Sequence, residues 1–253
     1  MSFSPAQDFS ALATRGLTEY SITHKFGRNA TIGTSFEAIS LIGDYQMPST
    51  AQALEIVSTD ANDTSAGSGA RSVTIEGLDG SFNELTQDVV LNGTTAVAIT
   101  TDMTRINRAF VKESGTYASI TAGSHAGDIT VRESGGGASW ALLSATDYPR
   151  GQSELGAYSV AAGKNAMLRI VTVSVDNNKA ANVMLVKRER SNVASAPYDP
   201  ARIVFELGGI TGESILSTVA PFGPFEGPCD LYFLARVTSG TAEVDIDFEI
   251  WEY

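Results

Sequence analysis

Apolar and polar residues alternate along most of this chain with a period of two, the signature of half-buried β-strands. In "RSVTIEGL" (71–78), Val73 and Ile75 take one face and Thr74 and Glu76 the other. The pattern continues through "TRINRAFV" and "GDITVRES". Beyond residue 160 it returns in "MLRIVTVSVD", "ANVMLVKRER", "RIVFEL" and "DLYFLARV". The last run is the clearest. In "AEVDIDFEIWEY", Val244, Ile246, Phe248 and Ile250 face one way, and Glu243, Asp245, Asp247 and Glu249 the other. A slip of one residue would bury four acids, so the register of this strand is strongly specified. Trp251 breaks its polar face, either as an edge-covering aromatic or as a partner contact.

Turn chemistry punctuates these runs. "DVVLNGTTAVAIT" reads as two strands joined at Asn92-Gly93, because both central positions of a tight hairpin need positive φ. Asp176-Asn177-Asn178-Lys179 separates two further runs like a hairpin loop. Only the first residues look helical. Ser4, Pro5 and Gln7 form a capping signature, Phe9 and Leu12 share a face, and Gly16 stops the run, which predicts a short helix over roughly 5–14. That helix packs either on its own body or, as an arm, on a neighbouring subunit.

"ATDYPRGQSELGAY" (145–158) is poor in apolar residues and marks a boundary. The expected organisation is an N-terminal arm over 1–25, a β-sandwich over 26–149 and a second over 150–253. The fold class is all-β: an antiparallel β-sandwich or jelly roll, in two sandwich subdomains with a short N-terminal helical arm. No strand–helix alternation suggests a doubly wound nucleotide fold.

Composition agrees. The 253 residues are 43% apolar, 18% charged and include 24 glycines, which suits a core built from many strands and turns. The net charge of −12 disfavours a nucleic acid partner. One cysteine, Cys229, fits a reducing cytoplasm. No secretory leader and no run long enough to cross a membrane are expected.

The chemistry-bearing stretches are few. "STDANDTSAGSGARSVTIEGLDG" (58–80) resembles a phosphate-cradling or a calcium loop. It lacks the Gly-Lys-Ser/Thr spacing of the first. For the second, Asp60, Asn62 and Asp63 open correctly, but Ser65 and Arg71 occupy the positions that need Gly and Glu. Asx turns are the simpler reading. His24 and His125 are the only histidines, and neither sits beside a nucleophile elbow. Cys229 reads as a small hydrophobe. Asp245 and Asp247 could serve glycoside hydrolysis, although an acidic face on one alternating strand is the ordinary look of a solvated sheet. "KRER" (187–190) reads as a solvated strand end. No catalytic, cofactor or metal site is expected.

Five segments carry a resemblance, two of them the short runs "RINRAFV" and "AGDITV". The longer three are "ANDTSAGSGARSVTIEGLDGSFNELTQDVVLNGTTAV", which the two short runs follow, "LGAYSVAAGKNAMLRIVTVSVDNNKAANVMLVKRE" with its Ala-Gly-Lys turn, and the closing "CDLYFLARVTSGTAEVDIDFEIWEY", which is similar to a final hairpin. Together they resemble a family of virion structural proteins of tailed bacteriophages, chiefly marine ones, over roughly residues 45–253. The family motifs are structural, so no active-site residue is implied. The resemblance implies a virion protein assembled in the bacterial cytoplasm and does not fix its place in the particle. With the charge of −12 and no catalytic constellation beside it, the leading expectation is a non-enzymatic protein bound outside the capsid as decoration or cement. Its partners would be the major capsid protein or other virion proteins and copies of itself, plausibly in a trimer. Phe9, Leu12 and Trp251 are the candidate partner contacts. A tail, baseplate or fibre component binding a host surface is the second reading, and a carbohydrate-active enzyme the third.

Overall fold

A computed structural model describes residues 20–116, 123–146, 150–176 and 178–253, with 214–221 as backbone. The described residues are all-β. The chain begins with β1 (Ser21–Ile32) and the two-residue β2 (Glu37–Ala38). A block of seven follows: β3 (Leu54–Ser58), β4 (Ala70–Asp79), β5 (Glu84–Val90), β6 (Val97–Ala98), β7 (Met103–Ser114), β8 (Ile129–Glu133) and β9 (Ser139–Leu143). Seven more close it: β10 (Ala157–Val160), β11 (Asn165–Val175), β12 (Ala181–Arg188), β13 (Arg202–Ile210), β14 (Gly212–Glu226), β15 (Cys229–Val237) and β16 (Ala242–Glu252). The helix expected over 5–14 lies outside the described residues.

The pairing sorts the strands into two bodies. One sheet runs β1-β16-β11-β14, and a second runs β10-β15-β12-β13 with β2 added against β15. All pairs are antiparallel. Their inner faces share one core, in which Leu168, Val171, Val173, Val244, Ile246, Phe248 and Ile250 meet Val183, Leu185, Leu231, Phe233 and Ala235. From β10 onward every connection except β12–β13 crosses from one sheet to the other. Two four-stranded sheets in this order form an eight-stranded jelly roll.

The second body is built from the block between β1 and β10. Sheets β6-β3-β8-β9 and β5-β4-β7 face each other. Their shared core is made by Leu54, Ile56, Val73, Ile75, Ile106, Ile129, Val131, Trp140 and Leu143, among others. It is therefore a sandwich inserted into the first inter-sheet connection of the roll. Its two ends run side by side as a neck: Gly156 donates to Ile39 O at 2.9 Å, and Ser40 bridges Leu155. The approach demands glycine. A Cβ on Gly27 would lie 2.3 Å from the Gly156 backbone nitrogen, so neither residue tolerates a side chain without a shift.

Several expectations change. β1 does not belong with the sandwich expected over 26–149. It pairs with β16, from Ser21 opposite Glu252 to Ile32 opposite Ala242. The Asn92-Gly93 turn is real, with Gly93 at φ 60° and Thr95 N bonded to Asn92 O at 3.1 Å. It joins no hairpin, however, because β5 pairs with β4 and β6 pairs with β3. The same holds at 176–179 and in the closing segment: β11 and β12, like β15 and β16, lie in opposite sheets. Turn chemistry reports a local reversal and does not by itself decide whether the flanking strands pair or arch.

The stretch at 58–80 resolves into a loop organised by one carboxylate. Asp63 is fully buried. It accepts from Ser58 Oγ at 2.6 Å, and from the backbone N–H groups of Ala70, Ala126 and Gly127 at 2.7, 2.8 and 2.9 Å. Asp60 makes the expected Asx turn, its Oδ1 accepting from Asn62 N at 2.8 Å. The Asp63 carboxylate is thus spent on protein donors, two from this loop and its flanks and two from the segment at 126–127. In Asp63→Asn one carboxylate oxygen becomes an NH2 facing N–H or O–H donors. A loss of about 2–3 kcal/mol in unfolding free energy is expected, read by urea titration.

Candidate functional site

The chemistry of this molecule concentrates where the inserted sandwich meets the roll. β7 supplies Arg105, whose guanidinium is fully buried. Its Nε and Nη2 donate to the two Asp230 oxygens at 2.8 and 2.9 Å, a bidentate pair. Its Nη1 donates to Pro48 O and Thr104 O at 2.8 and 2.6 Å, and the group stacks 5.3 Å over Phe82. Asp230, also fully buried, stands on β15 beside core residue Leu231 but on the opposite face. It accepts again from Ser159 Oγ at 2.5 Å, and Tyr45 OH lies 2.9 Å from that hydroxyl. Burial, aided by the Asp230 charge, pushes the Tyr45 phenol well up. Asn107 completes the seam with two bonds to the Ser159 backbone, at 2.8 and 2.9 Å.

Beside this network lies a polar cavity of ≈ 300 Å³. The roll contributes Ser21, Thr23 and Lys25 from β1, Tyr158 from β10 and Glu252 from β16. The insert contributes residues of β4, β5 and β7, among them Glu76, Glu84, Asn107 and Arg108. Lys25 is 4% exposed, and its Nζ donates to Asn107 O. Desolvation, then the Arg108 charge, lowers its pKa to about 7, against the pull of Glu76. Glu252 is 5% exposed and accepts from Tyr158 OH at 2.7 Å through Oε2, while its Oε1 has no partner among the described residues. Burial raises the Glu252 carboxyl, opposed by the Tyr158 bond, with Glu84 pushing further up. Arg108 and Glu76 pair at 2.9 Å on the cavity wall.

None of these residues carries a signal in the sequence. Lys25 sits in "SITHKFG", where Ile22 and Phe26 are the apolar residues and so suggest the opposite face as inward. Asp230 belongs to the outer face of a strand that would be solvated if the insert did not cover it. An alternating pattern reports one core per strand and cannot show a second body packed on the other side.

The residues singled out from the sequence lie elsewhere. Phe9 and Leu12 are outside the described residues. Trp251 is 6% exposed: Arg169 lies 5.0 Å over its ring, Tyr20 packs edge-on at 6.3 Å, and its Nε1 donates to Glu249 at 3.3 Å. Its ring is thus covered by its own chain, and the neighbouring Tyr253 is the aromatic that reaches solvent. Cys229 is buried, and desolvation pushes its thiol up to about 12, which leaves it without nucleophilic character near neutral pH. His24 is exposed beside Glu249, while His125 is buried in the inserted sandwich with Nδ1 donating to Gly127 O at 2.8 Å. Lys187 and Arg190 are spent in ion pairs with Glu189 and Asp199.

The acidic row of β16 lines the outer face of its sheet. Arg28 ties part of it, 2.5 Å from Glu154 and 3.2 Å from Glu243. Desolvation first, then Glu243, raises the Asp245 carboxyl to about 6, and its Oδ1 is buried without a partner among the described residues. A folded pKa above the unfolded 3.8 means that ionised Asp245 costs stability above pH 6 and ceases to cost it below about pH 4. Asp245→Asn is expected to stabilise the protein at neutral pH by about 1 kcal/mol after solvent screening. Thermal melts should show the gain fading as pH falls from about 6 to 4.

No protein-family model matches the chain, and no curated protein matches it. Among solved structures, similarity is found to infectious bursal disease virus. The Gt strain structure is 11% identical with a TM-score of 0.25, covering 93% of this chain and 72% of that one. The Gx strain structure is 8% identical with a TM-score of 0.23 over 93% and 72%. The VP2 subviral particle of the same virus is 9% identical with a TM-score of 0.20, over 93% and 76%. Likeness of this degree does not bear on function.

Proposed function

We propose that this chain is a non-enzymatic structural protein of a virus particle, of the tailed-bacteriophage type that its sequence resembles, and that it decorates or cements the outside of the capsid. The observation that carries the reading is the strand order β1-β16-β11-β14 over β10-β15-β12-β13, a jelly roll of the kind recurrent in capsid components. A compact roll offers a base for attachment, and the sandwich inserted between its first two strands supplies a second body that can project from it. The charge of −12 suits a place away from packaged nucleic acid. Repeated capsid sites favour a symmetric assembly of copies, and a trimer is the expected form.

The test is density from intact particles, together with the copy number of the chain per particle. Hundreds of copies fitted on the head lattice support the proposal. A few copies confined to the tail would replace it with a tail, baseplate or fibre role, and absence from purified particles would end both. Light scattering on the purified chain checks the trimer.

A further inference from the structure

We propose that the cavity between the roll and the inserted sandwich binds a small neutral polyhydroxyl ligand, a saccharide unit of about one or two rings. The proposal does not depend on the virion reading, since it rests on the cavity alone.

Two buried residues of the lining have hydrogen-bonding capacity to spare. The Lys25 amine has several N–H donors, and the one bond it makes among the described residues goes to Asn107 O. Glu252 spends Oε2 on Tyr158, and Oε1 is buried without a partner among the described residues. Leaving such groups unpaired away from water is costly, so a built cavity with both on its wall calls for an occupant that satisfies both.

The lining selects the chemical class. An anion would face Glu76, Glu84 and Glu252, and a cation would face Lys25 and Arg108. An apolar ligand would find little beyond Leu85 and the Gly77 backbone. A ligand hydroxyl accepts from an amine and donates to a carboxylate at once. Adjacent hydroxyls on a ring could therefore bridge Lys25 and Glu252, with Thr23, Thr86 and Ser21 at hand for others. The volume of ≈ 300 Å³ lies at the small end of ligand cavities and is too small for a long chain to be swallowed whole.

Isothermal titration with glucose, galactose, mannose and N-acetylglucosamine, each added separately to the full chain, tests this. The expected result is saturable binding of at least one sugar. That binding should be weakened at least about tenfold in both Lys25→Met and Glu252→Gln. Asp245→Asn, on the outer sheet face, should bind as the unaltered chain does. Lys25→Met is expected to be more stable than the parent, so its loss of binding would not reflect unfolding, and circular dichroism confirms the fold of each variant. Saturable binding of none of the four sugars overturns the proposal. So does binding that survives in either cavity variant.

Discussion

Replacing Asp230 with alanine is expected to lower the unfolding free energy by about 3–5 kcal/mol. The reason is asymmetry. Arg105 and Asp230 are both fully buried, and the guanidinium satisfies both carboxylate oxygens. With Asp230 gone, Arg105 keeps Pro48 O, Thr104 O and the Phe82 ring, but a full positive charge stays in the seam without its counter-ion. Ser159 Oγ and, through it, Tyr45 lose their anchor as well. The double variant Arg105→Met with Asp230→Leu should recover most of the loss, because it removes both desolvated charges together. Urea unfolding of the two singles and the double closes the cycle. An additive cycle, in which the double is worse than either single, would mean that the pair does not hold the seam. Two transitions in Asp230→Ala, where the parent shows one, would add that this pair couples the two bodies.

The second large effect has the opposite sign. Lys25→Met is expected to stabilise the protein, by about 3–5 kcal/mol near pH 6, and by little above pH 10.5. The folded pKa of about 7 lies below the unfolded 10.5. Between these values the unfolded chain binds a proton that the native state does not, so Lys25 makes native stability rise with pH across that window. Below about 7 both states carry the charge, and the native state bears the full cost of burying it next to Arg108. Methionine fills a similar volume without a charge. Chemical unfolding of both proteins at about pH 6, 8 and 10 should show the gap closing as pH rises. A constant gap would mean that Lys25 is not desolvated in the native state.

Much of the fold was legible because alternation is a local property. Val73 and Ile75 point to a core, as do Val244, Ile246, Phe248 and Ile250, and all six are buried as their spacing requires. The Asx turn at Asp60 and the positive φ of Gly93 follow from side-chain and backbone chemistry within a few residues. The candidate site was not legible. Lys25, Asn107, Tyr158 and Glu252 come from four strands far apart in sequence, and each looks like an ordinary residue of its own strand. Asp63 was visible as a turn acid, but its partners at Ala126 and Gly127 lie more than sixty residues away.

By itself, then, the sequence determined that this protein is built from antiparallel strands, and which face of each strand seeks a core. Those facts follow from a period of two and from the backbone preferences of Gly, Asn and Asp. Only the tertiary structure decided which strands pair and which arch between sheets, since turns such as Asn92-Gly93 and 176–179 serve either purpose. It also decided that β1 closes the roll against β16, and that the block between β1 and β10 stands as a second sandwich. That arrangement covers strand faces that would otherwise meet water. It turns Arg105, Asp230, Lys25 and Glu252 into buried charges, because burial depends on what packs against a face and not on the residues along it.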